Sequence, residues 1–335
     1  MKNIHRSAGV AVLLAAYGAA SWLGPAVSAQ STGVEPLHFH HVHLNSVDPA
    51  ASAAYYPKPF AESATATTYN GFAAVKTGNV YILFTKVSTP PQNELTGPQT
   101  SVWHFGWNTP NSRAYNERFR AMGLEIAQMW DAADGKLVDM SSDTLPGMPT
   151  QEQILDMRAK GVKPAREGGF GYLRGPDGAM IENAQSGKVE RFNHVHMYHE
   201  HPVCAMQWYA AHLGARVPDN RAAAVNAPGD CRTTMYAPPT WPSFAKTGFV
   251  REPSGGVMLD VISISIRPWP GGGLVSTRGK LVDHWAVSTA DLSATVARLK
   301  REGVTFLEEI HPWGASRAAM IEGPDRIAIE IVEVK

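Results

Sequence analysis

One short pattern recurs four times and constrains this chain more than any other feature. Residues 41–48 read HVHLNSVD, 104–111 read HFGWNTPN, 194–201 read HVHMYHEH and 284–291 read HWAVSTAD. Each opens on histidine, alternates like a half-buried strand, and closes seven positions on with Asp48, Asn111, His201 or Asp291. Asp and Asn at such a position are natural helix N-caps. A helical pattern follows each one: PAASAAYY, SRAYNERFRAMG, VCAMQWYAAHLG and LSATVARLKREG. Two or three strand-like segments complete each unit, as in GNVYILFTKV and GGVMLDVISISI. The expected fold is therefore α+β, built from four β-α-β-β-β units.

Alternation decides which side chains share a face. Val42/Leu44, Phe105/Trp107, Val195/Met197 and Trp285/Val287 form one face, which should pack against helices. The other carries His41/His43/Asn45, His104/Gly106/Asn108, His194/His196/Tyr198 and His284/Ala286/Ser288. Polar groups kept in phase on four strands imply a polar concavity. Histidine supplies only 13 of 335 residues, so four leading histidines in register are a pattern and not background.

A second echo closes the second and fourth units. GPDGAMIE (175–182) and GPDRIAIE (323–330) each read as a tight turn feeding a strand, with Pro and Asp at the central turn positions. Each strand delivers a glutamate, Glu182 or Glu330, seven residues after the glycine. Units one and two are expected to make a first domain over 30–188, and units three and four a second over 189–335. The first domain holds an extra segment near 131–168, containing the helical stretch TQEQILDMRAKG, that reads either as a lid or as plain elaboration. PWPGGGL (268–274) reads as a flexible loop before the fourth unit.

Formal charge is zero and charged residues make up 18%, so nothing points to nucleic acid or an anionic membrane surface. Lys2 and Arg6, an apolar run from about Gly9 to Gly24, and Val27-Ser28-Ala29 resemble a secretory signal ending at residue 29. The expected location is periplasmic or secreted, with no membrane contact after cleavage. Cys204 and Cys231 are the only cysteines, and in an oxidising compartment they either pair or remain one buried and one free thiol.

The His-led strands and the two GPD-to-Glu turns resemble the vicinal oxygen chelate superfamily, the glyoxalase, bleomycin-resistance and extradiol-dioxygenase group. That resemblance implies paired βαβββ units whose sheets form a cleft around one divalent metal, here as two tandem glyoxalase-like domains. Carried over residue by residue, it assigns His41, His104 and Glu182 to the first domain, a set suited to Fe(II) or Mn(II). It assigns His194, His284 and Glu330 to the second, with Asp260 in GGVMLDVIS as a fourth ligand. That set suits Zn(II), Ni(II), Mn(II) or Fe(II). His43 and His196, two residues beyond proposed ligands, are candidates for moving protons or for hydrogen-bonding to the ligands. Tyr172, ten residues before Glu182, is a candidate hydroxyl near substrate, whereas Met320 stands at the same offset before Glu330.

The resemblance implies a small-molecule substrate with vicinal oxygens and, for its assembly, a monomer or homodimer. A dioxygenase-like reaction is favoured. A glyoxalase- or epimerase-like lyase or isomerase is the alternative reading, and a metal-free small-molecule-binding protein is a third. Export disfavours a true glyoxalase I, whose thiol co-substrate belongs to the reducing cytosol.

Overall fold

A computed structural model describes residues 35–93, 96–144, 150–162, 168–219, 222, 225, 229–232, 255–269 and 273–334. The expected signal segment 1–29 and residues 270–272 of the PWPGGGL loop lie outside the described residues. Among the described residues no helix is long and apolar enough to cross a membrane.

Four units follow in order. The first is β1 (His38–Ser46), α1 (Pro49–Tyr55), β2 (Ala64–Tyr69), β3 (Phe72–Thr77) and β4 (Val80–Lys86). The second is β5 (Val102–Asn108), α2 (Ser112–Ala121) and β6 (Ile126–Ala127), then an inserted hairpin of β7 (Trp130–Asp131) and β8 (Leu137–Val138). Helix α3 (Gln151–Ala159) follows, and β9 (Phe170–Arg174) and β10 (Met180–Ala184) complete that unit. The third is β11 (Arg191–His199), α4 (Pro202–Leu213), β12 (Gly255–Leu259) and β13 (Ile262–Pro268). Its remaining strand reduces, among the described residues, to a bridge between Arg216 and Met258. The fourth is β14 (Val282–Thr289), α5 (Leu292–Arg301), β15 (Phe306–Trp313), β16 (Ser316–Glu322) and β17 (Ala328–Glu333). Three helices start at the expected caps, since Asp48, Asn111 and Asp291 each accept from a backbone N–H three residues on. His201 makes no such bond.

Strand order overturns the expected pairing of units. One sheet runs β15-β16-β17-β14-β1-β4-β3-β2, and the other β12-β13-β11-β5-β10-β9-β6. The first unit therefore pairs with the fourth, and the second with the third. Both seams are antiparallel pairs of first strands, β1 with β14 and β5 with β11. The repeat boundary near 188 falls between β10 and β11, yet each sheet takes one unit from either side of it. Alternation within a strand fixes its faces but carries no information about its neighbour, so the sequence order of the units is not a guide to their pairing.

The faces are as alternation assigned them. Val42, Leu44, Phe105, Trp107, Val195, Met197, Trp285 and Val287 all lie in one core shared by both sheets and their helices. Phe60 stacks on Trp107 with centroids 4.2 Å apart, and Phe39 of one sheet meets Phe192 of the other at 6.2 Å. The GPD turns tie the sheets together. Asp177 and Asp325 sit in the left-handed region, at φ 55° and 52°, where Asp is tolerated better than most residues. Asp177 Oδ1 accepts from Val47 N (3.3 Å), just past β1. Asp325 Oδ2 accepts from Glu200 N (3.1 Å) and from His199 Nδ1 (2.7 Å), at the end of β11. Each turn thus clamps the sheet it does not belong to. Cys204 and Cys231 are joined as a disulfide, which holds the chain after α4 against that helix.

Candidate metal centres

Each sheet keeps its polar residues on the face turned away from the shared core, and there the histidines converge. On the eight-stranded sheet, β1 supplies His41 and His43, β14 supplies His284, and β17 supplies Glu330. Glu330 Oε2 lies 3.4 Å from His41 Nε2 and 3.7 Å from His284 Nε2. On the seven-stranded sheet, β11 supplies His194 and His196, β5 supplies His104, and β10 supplies Glu182. Glu182 Oε2 lies 3.0 Å from His104 Nε2 and 3.8 Å from His196 Nδ1, and its Oε1 lies 3.6 Å from His194 Nε2.

The two groups are the same construction. His43 is the cross-strand partner of His284, and His196 that of His104. Glu330 lies beside Ala286, and Glu182 beside Gly106. A Cβ at Gly106 would come within 2.7 Å of both Glu182 and His194 Cε1, so only glycine allows the carboxylate and imidazole to approach there. In both seams the register shifts by one residue just before the leading histidine. This bulge brings the preceding side chain alongside. His40 Nδ1 lies 2.8 Å from His41 Nδ1, and Asn193 Oδ1 lies 2.8 Å from His194 Nδ1.

The expected ligand sets are therefore corrected. His41 does not join His104 and Glu182, and His194 does not join His284 and Glu330. Instead His41, His43, His284 and Glu330 make a first centre, and His104, His194, His196 and Glu182 a second. Asp260 joins neither. It forms the β12–β13 turn at φ 54°, where it accepts from Phe39 N (3.2 Å) and pairs with exposed His38 (2.8 Å). The strand reading of GGVMLDVIS ran through a hairpin, and a turn-forming aspartate was the available signal. The lateral neighbours of the histidines at the expected fourth-ligand strands are Tyr81 and Leu83 on β4, and Ser263 and Ser265 on β13.

Electrostatics favour neutral imidazoles at His41, His43 and His194, with His284 the exception. Burial pushes His41 and His43 well below the ordinary histidine value, with further lowering from neighbouring histidines. Burial likewise brings His194 down to about 4, against an opposing pull from Glu182. Burial alone would raise Glu182, but His194, His104 and the Tyr172 hydroxyl bring it down to about 2. At His284 burial is outweighed by Asp283 and Glu330, and the net direction is upward.

The hydrogen bonds around each ring leave particular nitrogens facing the centre. Asp283 Oδ1 accepts from His284 Nδ1 (2.7 Å), and Asp283 is itself held by Arg278 Nη1 (2.5 Å) and Gly279 N (2.6 Å). That fixes the tautomer whose Nε2 lone pair faces Glu330. Asn193 does the same for His194. Thr85 Oγ1 holds His43 Nε2 at 2.7 Å, leaving Nδ1 inward. His41 Nε2, His43 Nδ1, His284 Nε2, Glu330 Oε2 and His194 Nε2 are buried polar atoms with no hydrogen-bond partner. Such atoms are costly unless something binds them. Donors about 2.0–2.2 Å from one ion stand about 3–3.6 Å apart. The separations to Glu330 and Glu182, 3.0–3.8 Å, are close to that spacing. His41/His43/His284 and His104/Glu182/His194/His196 each bring their ligand atoms near enough to hold a metal ion.

Beyond the candidate ligands the two centres differ. Tyr172, the cross-strand neighbour of Glu182, donates to its Oε2 at 2.9 Å, while Met320 takes the same place beside Glu330. Trp103 precedes His104 where Asp283 precedes His284. The second centre is walled by Trp103, Trp130, Tyr172 and Tyr198, and the inserted segment adds Val138, Ile154 and Met157. That insertion is anchored on α2 by Arg113, paired with Asp143 at 2.7 Å, and by Arg120, paired with Asp139. It packs against the cluster of Trp103, Tyr172 and Tyr198.

Residues 191–331 match the family model of the Glyoxalase/Bleomycin resistance protein/Dioxygenase superfamily. Over that span the chain is similar to this superfamily, the vicinal oxygen chelate group. Its fold, two mixed sheets of βαβββ units, is similar to that of glyoxalase I from Zea mays. That match has a TM-score of 0.56 at 13% identity and covers 89% of this chain and 92% of that one. It is also similar to a putative dioxygenase from Bacillus subtilis (TM-score 0.51, 12% identity, 90% of this chain and 86% of that one). No curated protein sequence matches the chain.

Proposed function

We propose that this chain is an exported metalloenzyme of the superfamily, acting on a small substrate with vicinal oxygens. One divalent ion would be held by His41, His284 and Glu330, and another by His104, His194 and Glu182. The observation that carries this reading is the convergence of buried, unpartnered His41 Nε2, His284 Nε2 and Glu330 Oε2 on one point. Two imidazoles with one carboxylate suit Fe(II) or Mn(II) and leave coordination positions for substrate. The bound ion would polarise the substrate oxygens and stabilise the charge that develops on them.

The surrounding side chains favour a dioxygenase-like reaction. Displacement of Asp260 removes the fourth ligand on which the lyase or isomerase reading rested. His43 supplies instead a further neutral imidazole, its ring centroid 4.5 Å from that of His284. Its inward Nδ1 is placed to hold or pass a proton beside the substrate. His196 stands in the matching place at the second centre, where Tyr172 keeps Glu182 oriented. Each centre is built entirely from one chain, which supports a self-sufficient monomer.

Export is supported by the basic and apolar start of the sequence and by the Cys204–Cys231 disulfide, a bond of oxidising compartments. Metal analysis of protein purified without added ions, followed by oxygen-uptake assays with catechols, tests the activity. Bound Fe or Mn together with oxygen consumption is expected. Stoichiometric Zn or Ni without uptake would remove the oxygenase reading. Absence of metal, with ligand affinity surviving in a Glu182→Ala, Glu330→Ala double variant, would leave sequestration.

A further inference from the structure

The first centre is closed differently from the second. Its sheet ends at β2 on one edge and β15 on the other, strands from opposite ends of the chain. The hairpin tips of these two edges meet. Asn70, at the β2–β3 turn, donates from Nδ2 to Trp313 O (2.6 Å) and accepts at Oδ1 from Ala315 N (2.9 Å). Asn70 and Gly314 are both left-handed, at φ 52° and 55°, and a Cβ at Gly314 would overlap the Asn70 side chain. The two turns therefore interlock through one asparagine.

Trp313 stands immediately behind this clasp. Its indole lies parallel to the His41 ring, with centroids 5.8 Å apart and planes 10° apart, and Phe72 and Tyr69 flank it. The same tryptophan lines a cavity of about 470 Å3 together with Tyr69, Asn70, Ser316 and Arg317. That volume is within the range of roughly 300–1,000 Å3 seen for small-molecule sites. His41 itself is wholly buried. Trp313 thus borders both the cavity and the candidate ligand.

We propose that the Asn70 clasp on the Trp313–Ala315 turn is the gate of the first centre. A small molecule seated in the cavity reaches His41 and His284 when the two hairpin tips part and Trp313 leaves His41. Asn70 and Gly314 set how often that happens, and Trp313 sets what shape can pass. The gate is a property of the apoprotein as well, so its failure is distinguishable from failure of the metal reading.

The test is diethyl pyrocarbonate labelling of metal-free protein, mapped by mass spectrometry, with amide exchange of the 306–322 hairpin measured in parallel. Asn70→Ala removes both clasp hydrogen bonds and is expected to speed modification of His41 and His284 ~10-fold. His104 and His194, at the second centre, should keep their rates. Gly314→Ala, which crowds the clasp without touching a ligand, should act in the same direction. Faster exchange at Ala315 with unchanged labelling of His41 would overturn the gate, as would labelling that rises equally at all four histidines. The metal reading is judged separately, by the metal content of the purified wild type.

Discussion

His43 stands directly opposite His284 in the antiparallel ladder of β1 and β14, although the two strands open the first and last units of the chain. That single register pair decides which residues would share an ion. Metal content should therefore respond to variants in sheet pairs. His41→Ala combined with Glu330→Ala is expected to remove one ion of two per chain, because both changes fall on the same centre. His41→Ala combined with Glu182→Ala should remove both. Elemental analysis of the dialysed proteins reads the difference, and the reverse outcome would restore the pairing by sequence order.

Asp283 orients His284 from the side opposite Glu330, through the Nδ1 of that ring. Its replacement by alanine should lower metal affinity at the first centre about 10–100-fold, the usual effect of losing the partner of a ligating imidazole. The second centre, where Trp103 occupies the matching position, should be unaffected. Competition with a chromophoric chelator, resolved into two sites, measures this. Asn193→Ala is the mirror experiment, and its effect should appear only at the second centre.

Tyr172 donates its hydroxyl to Glu182 across the β9–β10 ladder. Tyr172→Phe keeps the ring against Trp130 and Trp103 but removes a hydrogen bond to a charged group, worth about 1.5–3 kcal/mol. The second centre should bind metal more weakly while the first is unchanged. An equal loss at both would mean that the tyrosine acts through the fold.

The Asp325 clamp predicts a pH dependence of stability. Burial alone would raise its carboxyl, but the bonds from His199 and the Glu200 amide bring it below the ordinary aspartate value. A carboxyl lower in the folded than the unfolded protein stabilises above its unfolded value. That contribution is lost as pH falls through the folded one. Asp325→Asn should therefore be less stable near neutrality, by about 1–3 kcal/mol. Its disadvantage should shrink below about pH 4. Urea unfolding across that range is the measurement, and a constant difference at every pH would refute the electrostatic account.

Reduction of Cys204–Cys231 should destabilise the protein. The bridge spans 27 residues, and closing a loop of that size is worth roughly 3–4 kcal/mol in the chain-entropy description. A Cys204→Ser, Cys231→Ser variant should melt earlier than the oxidised protein and be insensitive to reductant.

Much of this molecule is legible in its residues. The histidine-led strands, their apolar faces, three of the four N-caps and both glutamate-bearing strands follow from period-two alternation and local turn chemistry. Alternation placed Trp107 and Trp285 on the packed face, and they lie in the buried core. The partnership of units was not legible, because the seams depend on which apolar faces pack together, a tertiary choice that no spacing records. Asp260 was misread for a related reason: two strands joined by a two-residue turn look like one. The bulges that bring His40 and Asn193 beside their neighbours also escape notice, since one extra residue leaves the pattern of the strand nearly intact.

Because the innermost units build one sheet and the outermost build the other, the order of synthesis matters. Residues 102–268 can complete their sheet while the rest of the chain is still emerging. The strands of 38–86 must wait for the last fifty residues, with the β1 edge bare in the meantime. Truncation near the C-terminus should therefore cost the molecule its beginning as well as its end.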